Sequence, residues 1–279
     1  MPELPEVETI RRQVADRAVG LRLVRVRVLH RGMLQPHSPR AVTRALRGRR
    51  LTAAERRGKL LVLAFDHWAL LVHFRMSGTI LAVPPEAPVP RHARTMFDFA
   101  GPRRSTRRLV LSDVRTLGTI ELCRADAVAG SRSMRNIGRD ALSDGMDGAA
   151  LHGMLAGRTR PIKPFLLDQR YVAGLGNIYA AEALHRARLS PLRACAEVSR
   201  AEAGRLYRSI AAVLERAVEA NGTTFSGFRT VDGDSGRFAR LLRVYGREGE
   251  RCRRRGCRGR IVRVKQCGRS TFYCPACQI

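Results

Sequence analysis

Five of the seven cysteines lie in the last 28 residues of this 279-residue chain. Four of them form two close pairs, Cys252-x4-Cys257 and Cys274-x2-Cys277, with 16 residues between the pairs. Two thiolate pairs at this spacing are typical of a tetrahedral Zn2+ site, and four protein ligands leave no position open for a reacting water. We therefore predict one structural zinc ion. Cys267 lies between the pairs and is the alternative ligand, in place of Cys257.

Pro2 is a further residue that could do chemistry. A small residue such as proline at position 2 permits removal of the initiator methionine, which would leave a secondary amine. An α-amino group has a pKa of about 7.7–8, against about 10.4 for a lysine, so part of it is unprotonated at neutral pH. Such an amine can attack a sugar C1′, expel the base and leave an iminium intermediate. Proline in the first turn of a helix is also an ordinary structural feature, so both interpretations of Pro2 stay open on this residue alone.

The charge of the chain predicts its partner. There are 52 lysines and arginines against 24 aspartates and glutamates, which gives a formal net charge of +28. A balance this basic argues against an enzyme of small acidic metabolites and predicts binding to nucleic acid. The 44% of apolar residues excludes disorder as a description of the whole chain. Residues 251–279 contain nine Lys or Arg and no Asp or Glu, which favours a zinc hairpin that presses on phosphates.

Three further observations concern the compartment. The N-terminal residues are acidic and include no apolar segment typical of a signal peptide. No apolar run approaches the roughly 18 residues that a membrane span needs. The odd number of cysteines, seven, argues against a disulfide framework. We therefore expect a cytoplasmic protein with no membrane partner.

The secondary structure that must position Pro2 and the cysteines changes near residue 130, from a pattern of short strands to a pattern of helices. Residues 2–18 have apolar positions at helical spacing and acidic residues near the first turn. Short runs with strand-like alternation follow, and a slip in the first of them suggests a bulge. The predicted strands are residues 21–28, 60–65, 69–74, 79–83, 95–99, 109–111 and 119–123. Many short strands with Gly, Pro and Asp between them indicate a β-sandwich or barrel.

The rest of the chain has a helical pattern. Short helices are expected at residues 147–156 and 180–188, and the second follows a glycine-rich turn. The clearest helix begins at Ser199, where Ser199 and Glu202 form a capping-box pattern. Residues 223–236 show no periodicity, and we expect them to form a mobile loop.

Several motifs form an ordered series along the whole chain. The first is PELPEVET at residues 2–9. The later ones are Arg56-Arg57-Gly58-Lys59, His73-Phe74-Arg75-Met76-Ser77-Gly78, Asp113-Val114-Arg115-Thr116-Leu117-Gly118, Ile162-Lys163-Pro164, Gly174-Leu175-Gly176-Asn177-Ile178-Tyr179-Ala180, Val244-Tyr245-Gly246-Arg247 and the segment 268–278. Together they resemble the Fpg/Nei family of DNA glycosylases. The form of the first motif resembles the branch of this family that acts on purine lesions.

The resemblance implies a catalytic site at the N-terminus. It makes Pro2 the nucleophile that forms the Schiff base and Glu3 the acid/base group that assists opening of the sugar ring. Glu6 would support the site through its helix. Lys59 would contact a phosphate and assist elimination. Only three of the 52 basic residues are lysines, so a lysine at this motif position also suggests a site that prefers an ammonium.

The resemblance implies that side chains fill the gap left by an extruded base. Met76 and Arg115 match two of the family's three gap-filling positions. Leu117 is at the third, where the family usually has Phe. An aliphatic wedge can separate stacked bases, but it cannot stack on them. Lesion search or the choice of opposite base would therefore differ in this chain.

A phosphate track is implied in the C-terminal half. Asn177 follows two glycines at a helix start, where a side chain and backbone N–H groups can hold phosphate. Lys163 would join Asn177 electrostatically, and Arg269 would clamp the DNA backbone from the tip of the zinc hairpin. In the family, the loop that corresponds to residues 223–236 covers the extruded base.

The implied fold is α+β, with an N-terminal β-sandwich flanked by helices and a helical helix-two-turn-helix domain that ends in a zinc-finger hairpin. DNA would lie in the cleft between the two. The expected limits are 1–132 for the catalytic domain, 133–146 for the linker, 147–248 for the helix-two-turn-helix domain and 249–279 for the zinc finger.

The implied function is that of a base-excision-repair DNA glycosylase and AP lyase. It would remove oxidised purines such as 8-oxoguanine and formamidopyrimidines from duplex DNA, with β,δ-elimination. We expect a nucleoid-associated monomer that binds damaged double-stranded DNA and has zinc as its one cofactor. Two alternatives stay open, namely a relative that excises oxidised pyrimidines or other adducts, and a non-catalytic damage-binding homologue. Three departures from the family pattern bear on the substrate: Arg75, the linker segment 136–142 and the x4 spacing of the first cysteine pair.

Overall fold

The computed structural model of the protein describes residues 1–34, 36–101, 106–142, 145–225 and 227–279. The described chain separates into two compact units. The N-terminal unit contains Met1–Asn136 and Ala220–Arg237, and the C-terminal unit contains Ile137–Glu219 and Phe238–Ile279. Positions 143 and 144 of the expected linker and position 226 of the expected loop lie outside the described residues. The domain limits expected from the sequence stay a prediction.

The N-terminal unit is a β-sandwich with two helices. Its elements are α1 (Leu4–Ala18), β1 (Arg22–Val28), α2 (Pro39–Leu46), β2 (Leu51–Arg57), β3 (Leu60–Phe65), β4 (Trp68–His73), β5 (Gly78–Val83), β6 (Ala93–Ala100), β7 (Thr106–Asp113) and β8 (Thr119–Arg124). The strands form two four-stranded antiparallel sheets in the orders β1-β6-β7-β5 and β2-β3-β4-β8. Apolar side chains from both sheets and both helices share one buried cluster. The seven predicted strands are confirmed, and the predicted slip is a bulge between Leu23 and Arg25.

The sequence of α1 explains where this helix starts and what it packs against. Pro5 lies in the first turn, where a missing N–H costs no hydrogen bond. The face toward the core consists of Val7, Ile10, Val14 and Ala18, all fully buried. Each larger member contributes about 1.5–3 kcal/mol by burial. On another face, Glu8 pairs with Arg11, Arg12 and Arg56, and the last of these ties α1 to β2.

The segment 220–237 is fastened to the sandwich. The Gln13 Oε1 atom accepts a hydrogen bond from the N–H of Val231 at 2.8 Å, and Arg17 pairs with Asp232. The Val231 side chain is fully buried in the core. Val231 and Asp232, which belong to the loop that we expected to be mobile, are therefore tied to α1.

The C-terminal unit is mainly helical and ends in a hairpin. Its elements are β9 (Arg139–Asp140), α3 (Gly148–Leu155), α4 (Ile162–Leu166), β10 (Val172–Ala173), α5 (Asn177–Ala187), α6 (Arg200–Glu219), β11 (Val262–Gln266) and β12 (Arg269–Tyr273). The capping box that precedes α6 is confirmed, because Ser199 and Glu202 each accept the other's N–H. Part of the expected linker forms β9, which pairs in parallel with β10.

Both units together confirm the α+β fold class. The C-terminal hairpin turns at Cys267 and Gly268, whose φ values of +46° and +77° suit a two-residue turn between antiparallel strands. Over the part of the chain that the structure describes, no helix is both long and apolar enough to cross a membrane.

Candidate functional site

The start of α1 brings two carboxylates together in the interior of the N-terminal unit. Pro2 is buried, and Glu3 and Glu6 are each 2% exposed. Glu3 is the N-cap of α1, and the Glu6 Oε2 atom accepts its N–H at 2.7 Å in a capping box. The other oxygen, Oε1, accepts the N–H of Thr223 at 2.7 Å. Glu6 therefore joins the start of α1 to the segment 220–237.

The pKa of the α-amino group of Met1 reports on the electrostatic environment at the start of α1. Burial lowers the pKa of this amine below its ordinary value, and the charges of Arg115 and Lys59 lower it further. Glu3 and Glu6 act in the opposite direction. Lys59 is only 6% exposed and follows Gly58, whose φ is +56°, in the turn between β2 and β3. This environment favours the unprotonated, nucleophilic form of an amine.

Asp113, at the end of β7, fixes two neighbouring loops. Its Oδ1 atom accepts the hydroxyl of Ser77 at 2.5 Å and the N–H of Arg115 at 3.2 Å, and Oδ2 accepts the N–H of Gly118 at 2.8 Å. Asp113 is fully buried. A buried carboxylate with three donors restrains the backbone around it. The loop between β4 and β5 and the loop between β7 and β8 therefore lie side by side.

These two loops expose the side chains that the sequence predicts to enter DNA. Met76 is 43% exposed, Leu117 is 50% exposed, and Arg115 is also exposed. Met76 and Leu117 each follow a residue with a left-handed backbone, Arg75 at φ +52° and Thr116 at φ +55°. That conformation favours glycine. The side chains of Met76 and Leu117 thus each lie directly after a sharp turn of the backbone.

His73 lies at the end of β4, two residues before the turn. Its Nδ1 atom accepts the N–H of Arg75 at 3.0 Å. Burial lowers the pKa of His73 to about 4, and the charges of Arg75 and Lys59 act in the same direction. His73 is therefore neutral at physiological pH and serves as an acceptor that shapes the loop.

Lys163 and Asn177 meet the C-terminal hairpin, β11 and β12, inside the C-terminal unit. Lys163 is fully buried, and its Nζ donates to Asn177 Oδ1 at 2.5 Å, Thr271 Oγ1 at 2.8 Å and the carbonyl oxygen of Ser270 at 3.3 Å. The Asn177 Nδ2 group donates to the same carbonyl at 3.0 Å. Lys163 therefore holds the first residue of α5 against β12, and its ammonium is engaged with protein atoms.

Arg269 begins β12 directly after the tight turn at Cys267 and Gly268, and its side chain is exposed. Ser270, the next residue, is the one whose carbonyl oxygen is held by Lys163 and Asn177. Arg269 thus extends from a fixed piece of backbone. This placement suits a contact with a phosphate group.

The four paired cysteines converge. Ligand atoms of Cys252, Cys257, Cys274 and Cys277 all lie within 4.8 Å of one another. The sulfurs of Cys252 and Cys277 are 3.9 Å apart, and those of Cys257 and Cys274 are 3.7 Å apart. Tetrahedral coordination with Zn–S bonds of about 2.3 Å needs sulfurs about 3.8 Å apart. The cluster therefore fits a metal ion, whereas Cys267 is exposed in the hairpin turn and is not part of the cluster.

Glu182 is a buried carboxylate in α5 that sequence reasoning missed. Its oxygens accept the N–H groups of Arg243, Val244 and Tyr245, each at 2.9 Å. Burial raises the pKa of Glu182. The signal in the sequence was an acidic residue among alanines on a buried helix face. Glu182 fixes the chain that leads to Cys252.

The geometry thus separates the predicted residues into two groups. Pro2, Glu3, Lys59, Met76, Arg115 and Leu117 belong to the N-terminal unit, whereas Lys163, Asn177, Arg269 and the four clustered cysteines belong to the C-terminal unit. Asp113 and Ser77 lie within quoted motifs, but their roles in fixing the two loops were visible only in the structure.

Comparison with known proteins identifies the family. Residues 1–120 match the model of the formamidopyrimidine-DNA glycosylase N-terminal domain, and residues 137–229 match that of the H2TH domain of the same enzymes. A formamidopyrimidine-DNA glycosylase of Beijerinckia indica is 41% identical, with 100% of both chains covered. A Lactococcus lactis Fpg variant bound to DNA that contains Fapy-dG has a similar structure, with a TM-score of 0.91, 32% identity and 99% of both chains covered. The wild-type Lactococcus lactis enzyme bound to DNA that contains an oxidised pyrimidine gives a TM-score of 0.89 at 33% identity, again with 99% of both chains covered. The chain therefore belongs to the formamidopyrimidine-DNA glycosylase family.

Proposed function

We propose that the protein is a base-excision-repair DNA glycosylase and AP lyase that removes oxidised purines from duplex DNA. The observation that carries this proposal is the environment at the start of α1. Burial and the charges of Arg115 and Lys59 lower the pKa of the Met1 amine, which directly precedes Pro2, whereas the buried carboxylates of Glu3 and Glu6 act in the opposite direction. Family membership over the full chain supports the same activity. The protein would act as a monomer at the nucleoid.

The proposed reaction starts from the free amine of Pro2 after Met1 has been removed. The Pro2 nitrogen bonds to C1′ of the damaged nucleotide, and the bond from C1′ to the base breaks. Glu3 supplies a proton as the sugar ring opens, and an iminium joins Pro2 to the sugar. Loss of the 3′ phosphate by β-elimination and of the 5′ phosphate by δ-elimination then nicks the strand on both sides. Lys59, whose side chain is nearly buried, would bind one of these phosphates.

The remaining residues would bind the DNA around the lesion. Met76, Arg115 and Leu117 would fill the space left by the extruded base, because their side chains are exposed on two restrained loops. Asn177 and Arg269 would contact phosphates. Lys163 is buried, so we assign it to the positioning of Asn177 and of the hairpin.

Borohydride trapping on duplex DNA that contains 8-oxoguanine tests the chemistry. Protein whose intact mass shows loss of Met1 should form a covalent complex, since borohydride reduces the iminium. The matched control is the same chain with an N-terminal extension that converts the Pro2 amine into an amide, and it should not be trapped. Trapping should survive Lys59→Ala, which removes the competing amine. Failure of the processed protein to trap would support a non-catalytic damage-binding protein instead.

A second substrate class has one observation in its favour. The wild-type Lactococcus lactis relative has been solved with DNA that contains an oxidised pyrimidine. Single-turnover rate constants for excision of 8-oxoguanine, a formamidopyrimidine and an oxidised pyrimidine from matched duplexes would rank the three lesions as substrates. Faster excision of the pyrimidine lesion would overturn the proposed preference for purines.

We propose that the metal at the cysteine cluster is one structural zinc ion. Sulfur separations of 3.7 and 3.9 Å and the all-thiolate donor set support this identity. Elemental analysis of the purified protein should give one zinc per chain. Cys274→Ser should lose the metal, whereas Cys267→Ser should keep it. Zinc loss in the Cys267→Ser variant would show that Cys267 is a ligand, in place of Cys257.

A further inference from the structure

Three consecutive arginines separate the first two cysteines of the cluster. We call residues 253–256 the arginine knuckle, because Arg253, Arg254 and Arg255 precede Gly256, whose φ is +77°. In the C-terminal unit, residues of this knuckle, α5, α6 and positions 238–243 line a cavity of about 340 Å³. Its apolar lining includes the buried side chains of Val213 and Phe238. The volume is within the range of small-ligand sites, about 300–1,000 Å³.

The lining of this cavity has a strong excess of positive charge. It contains six arginines, namely Arg186, Arg216, Arg243, Arg253, Arg254 and Arg255. Its one acidic residue is Glu182, whose oxygens already accept three backbone N–H groups. Like charges confined around one cavity repel each other, and a bound anion would relieve that repulsion.

Several donors of the lining are available to a ligand. Within the described part of the chain, the side chains of Arg186, Arg216 and Arg255 form no hydrogen bond or ion pair, and all three are exposed. Arg254 donates through Nη2 to the carbonyl oxygen of His185, but its buried Nε has no partner among the described atoms. The lining of the cavity therefore combines apolar side chains, three guanidinium groups with no hydrogen bond or ion pair among the described residues, and the buried Nε donor of Arg254.

We propose that this cavity is a binding site for phosphate oxyanions, in addition to the contacts assigned to Asn177 and Arg269. Guanidinium groups match phosphate oxygens with two parallel hydrogen bonds. A cavity of about 340 Å³ admits a single phosphate or a short chain of phosphates but not a DNA duplex. The phosphate belongs either to a small free oligophosphate or to the backbone of bound DNA.

Calorimetric titration of the zinc-loaded protein with inorganic tripolyphosphate tests the site. The test variant is Arg186→Gln/Arg216→Gln/Arg255→Gln, which removes three exposed side chains that hold no other part of the protein. The control Arg25→Gln/Arg91→Gln/Arg135→Gln removes the same charge from exposed positions of the N-terminal unit. We expect saturable binding that weakens about tenfold or more in the test variant, and about twofold or less in the control.

Zinc content and melting temperature, measured before and after titration, exclude chelation and unfolding as causes. Absence of saturable binding to the wild type, or equal weakening in both triple variants, would overturn the proposal. Repeating the titration with saturating undamaged duplex identifies the source of the phosphate. An unchanged affinity indicates a free oligophosphate. Competition, with a larger loss of duplex affinity in the test variant than in the control, indicates the DNA backbone.

Discussion

His73 shows how one buried side chain couples the stability of the sandwich to pH. The folded chain uses its Nδ1 atom as an acceptor for the Arg75 N–H and lowers the pKa of His73 to about 4. An unfolded histidine has a pKa of about 6.5. Between about pH 4 and pH 6.5, His73 is therefore protonated in the unfolded chain and neutral in the folded chain. Stability is therefore lost as the pH falls from 6.5 toward 4, and His73 has little effect above pH 7.

The variant His73→Gln should remove this dependence, because glutamine cannot titrate. Between pH 7 and pH 4 the wild type should lose up to about 3 kcal/mol more unfolding free energy than the variant. Urea unfolding at several pH values measures the difference. The control His67→Gln changes an exposed histidine of the same unit and should keep the wild-type profile. Parallel profiles for wild type and His73→Gln would show that folding does not shift the pKa of His73.

Leu117 is the residue that we propose as a wedge, at a position where the resemblance implies an aromatic side chain. Its side chain is 50% exposed on the loop that Asp113 restrains. Stacking of an aromatic side chain on a base contributes about 1–3 kcal/mol. Leu117→Phe should therefore raise the affinity for duplex with an abasic-site analogue about fivefold or more, and Leu117→Ala should lower it.

Fluorescence anisotropy at fixed salt measures these affinities. Val89→Phe, which adds an aromatic ring at an exposed site in a proline-rich loop, is the control and should leave binding unchanged. Equal affinities for Leu117→Phe and the wild type would exclude this side chain from the space left by the base.

At the scale of elements, the periodicity of apolar residues in the sequence predicted most of the strands and the longest helix. The strands with apolar alternation and the capped helix α6 were confirmed. β2 was missed because Glu55, Arg56 and Arg57 interrupt its alternation. α2 was missed although Ser38 caps it and Pro39 is its first residue, both of which are start signals of a helix. The anchoring of segment 220–237 was also missed, since it depends on contacts between residues more than 200 positions apart. The motifs included the buried groups Glu6 and Asp113 as well as the candidate site residues, but not the contacts by which these two groups hold the neighbouring backbone.

The contact between α1 and segment 220–237 leads to a prediction about Glu6. Both its oxygens accept backbone N–H groups, and Gly222 approaches so closely that a Cβ atom there would lie 2.8 Å from Glu6 Oε1. Glu6→Gln replaces one acceptor by a donor, which should destabilise the N-terminal unit by about 1–3 kcal/mol. Hydrogen exchange at Thr223 should accelerate correspondingly.

The matched control for Glu6→Gln is Glu86→Gln, an exposed position of the same unit. It should change neither the unfolding free energy nor exchange at Thr223. Unchanged exchange at Thr223 in Glu6→Gln would mean that other contacts hold the segment.

At the scale of the whole molecule, charge and chemistry are carried by different residues. The net charge of +28 comes mainly from arginines along the entire chain, and Arg186, Arg216 and Arg255 form no ion pair among the described residues. Such charges attract any nucleic acid without regard to sequence. The proposed reaction instead depends on Pro2 and Glu3, which are buried at the start of α1. Affinity and turnover should therefore respond to salt in different ways.

Between 50 and 200 mM salt, affinity for undamaged duplex should fall by about 10³-fold or more, as for a protein that contacts six to ten phosphates. Arg269→Gln should make the slope of log K against log salt shallower by about one, because it removes one phosphate contact. Arg91→Gln, at an exposed position of the N-terminal unit, should alter the slope less. The single-turnover excision rate at saturating DNA should stay nearly constant over the same salt range. A rate that falls in parallel with affinity would mean that the surface charges act on the chemical step as well as on binding.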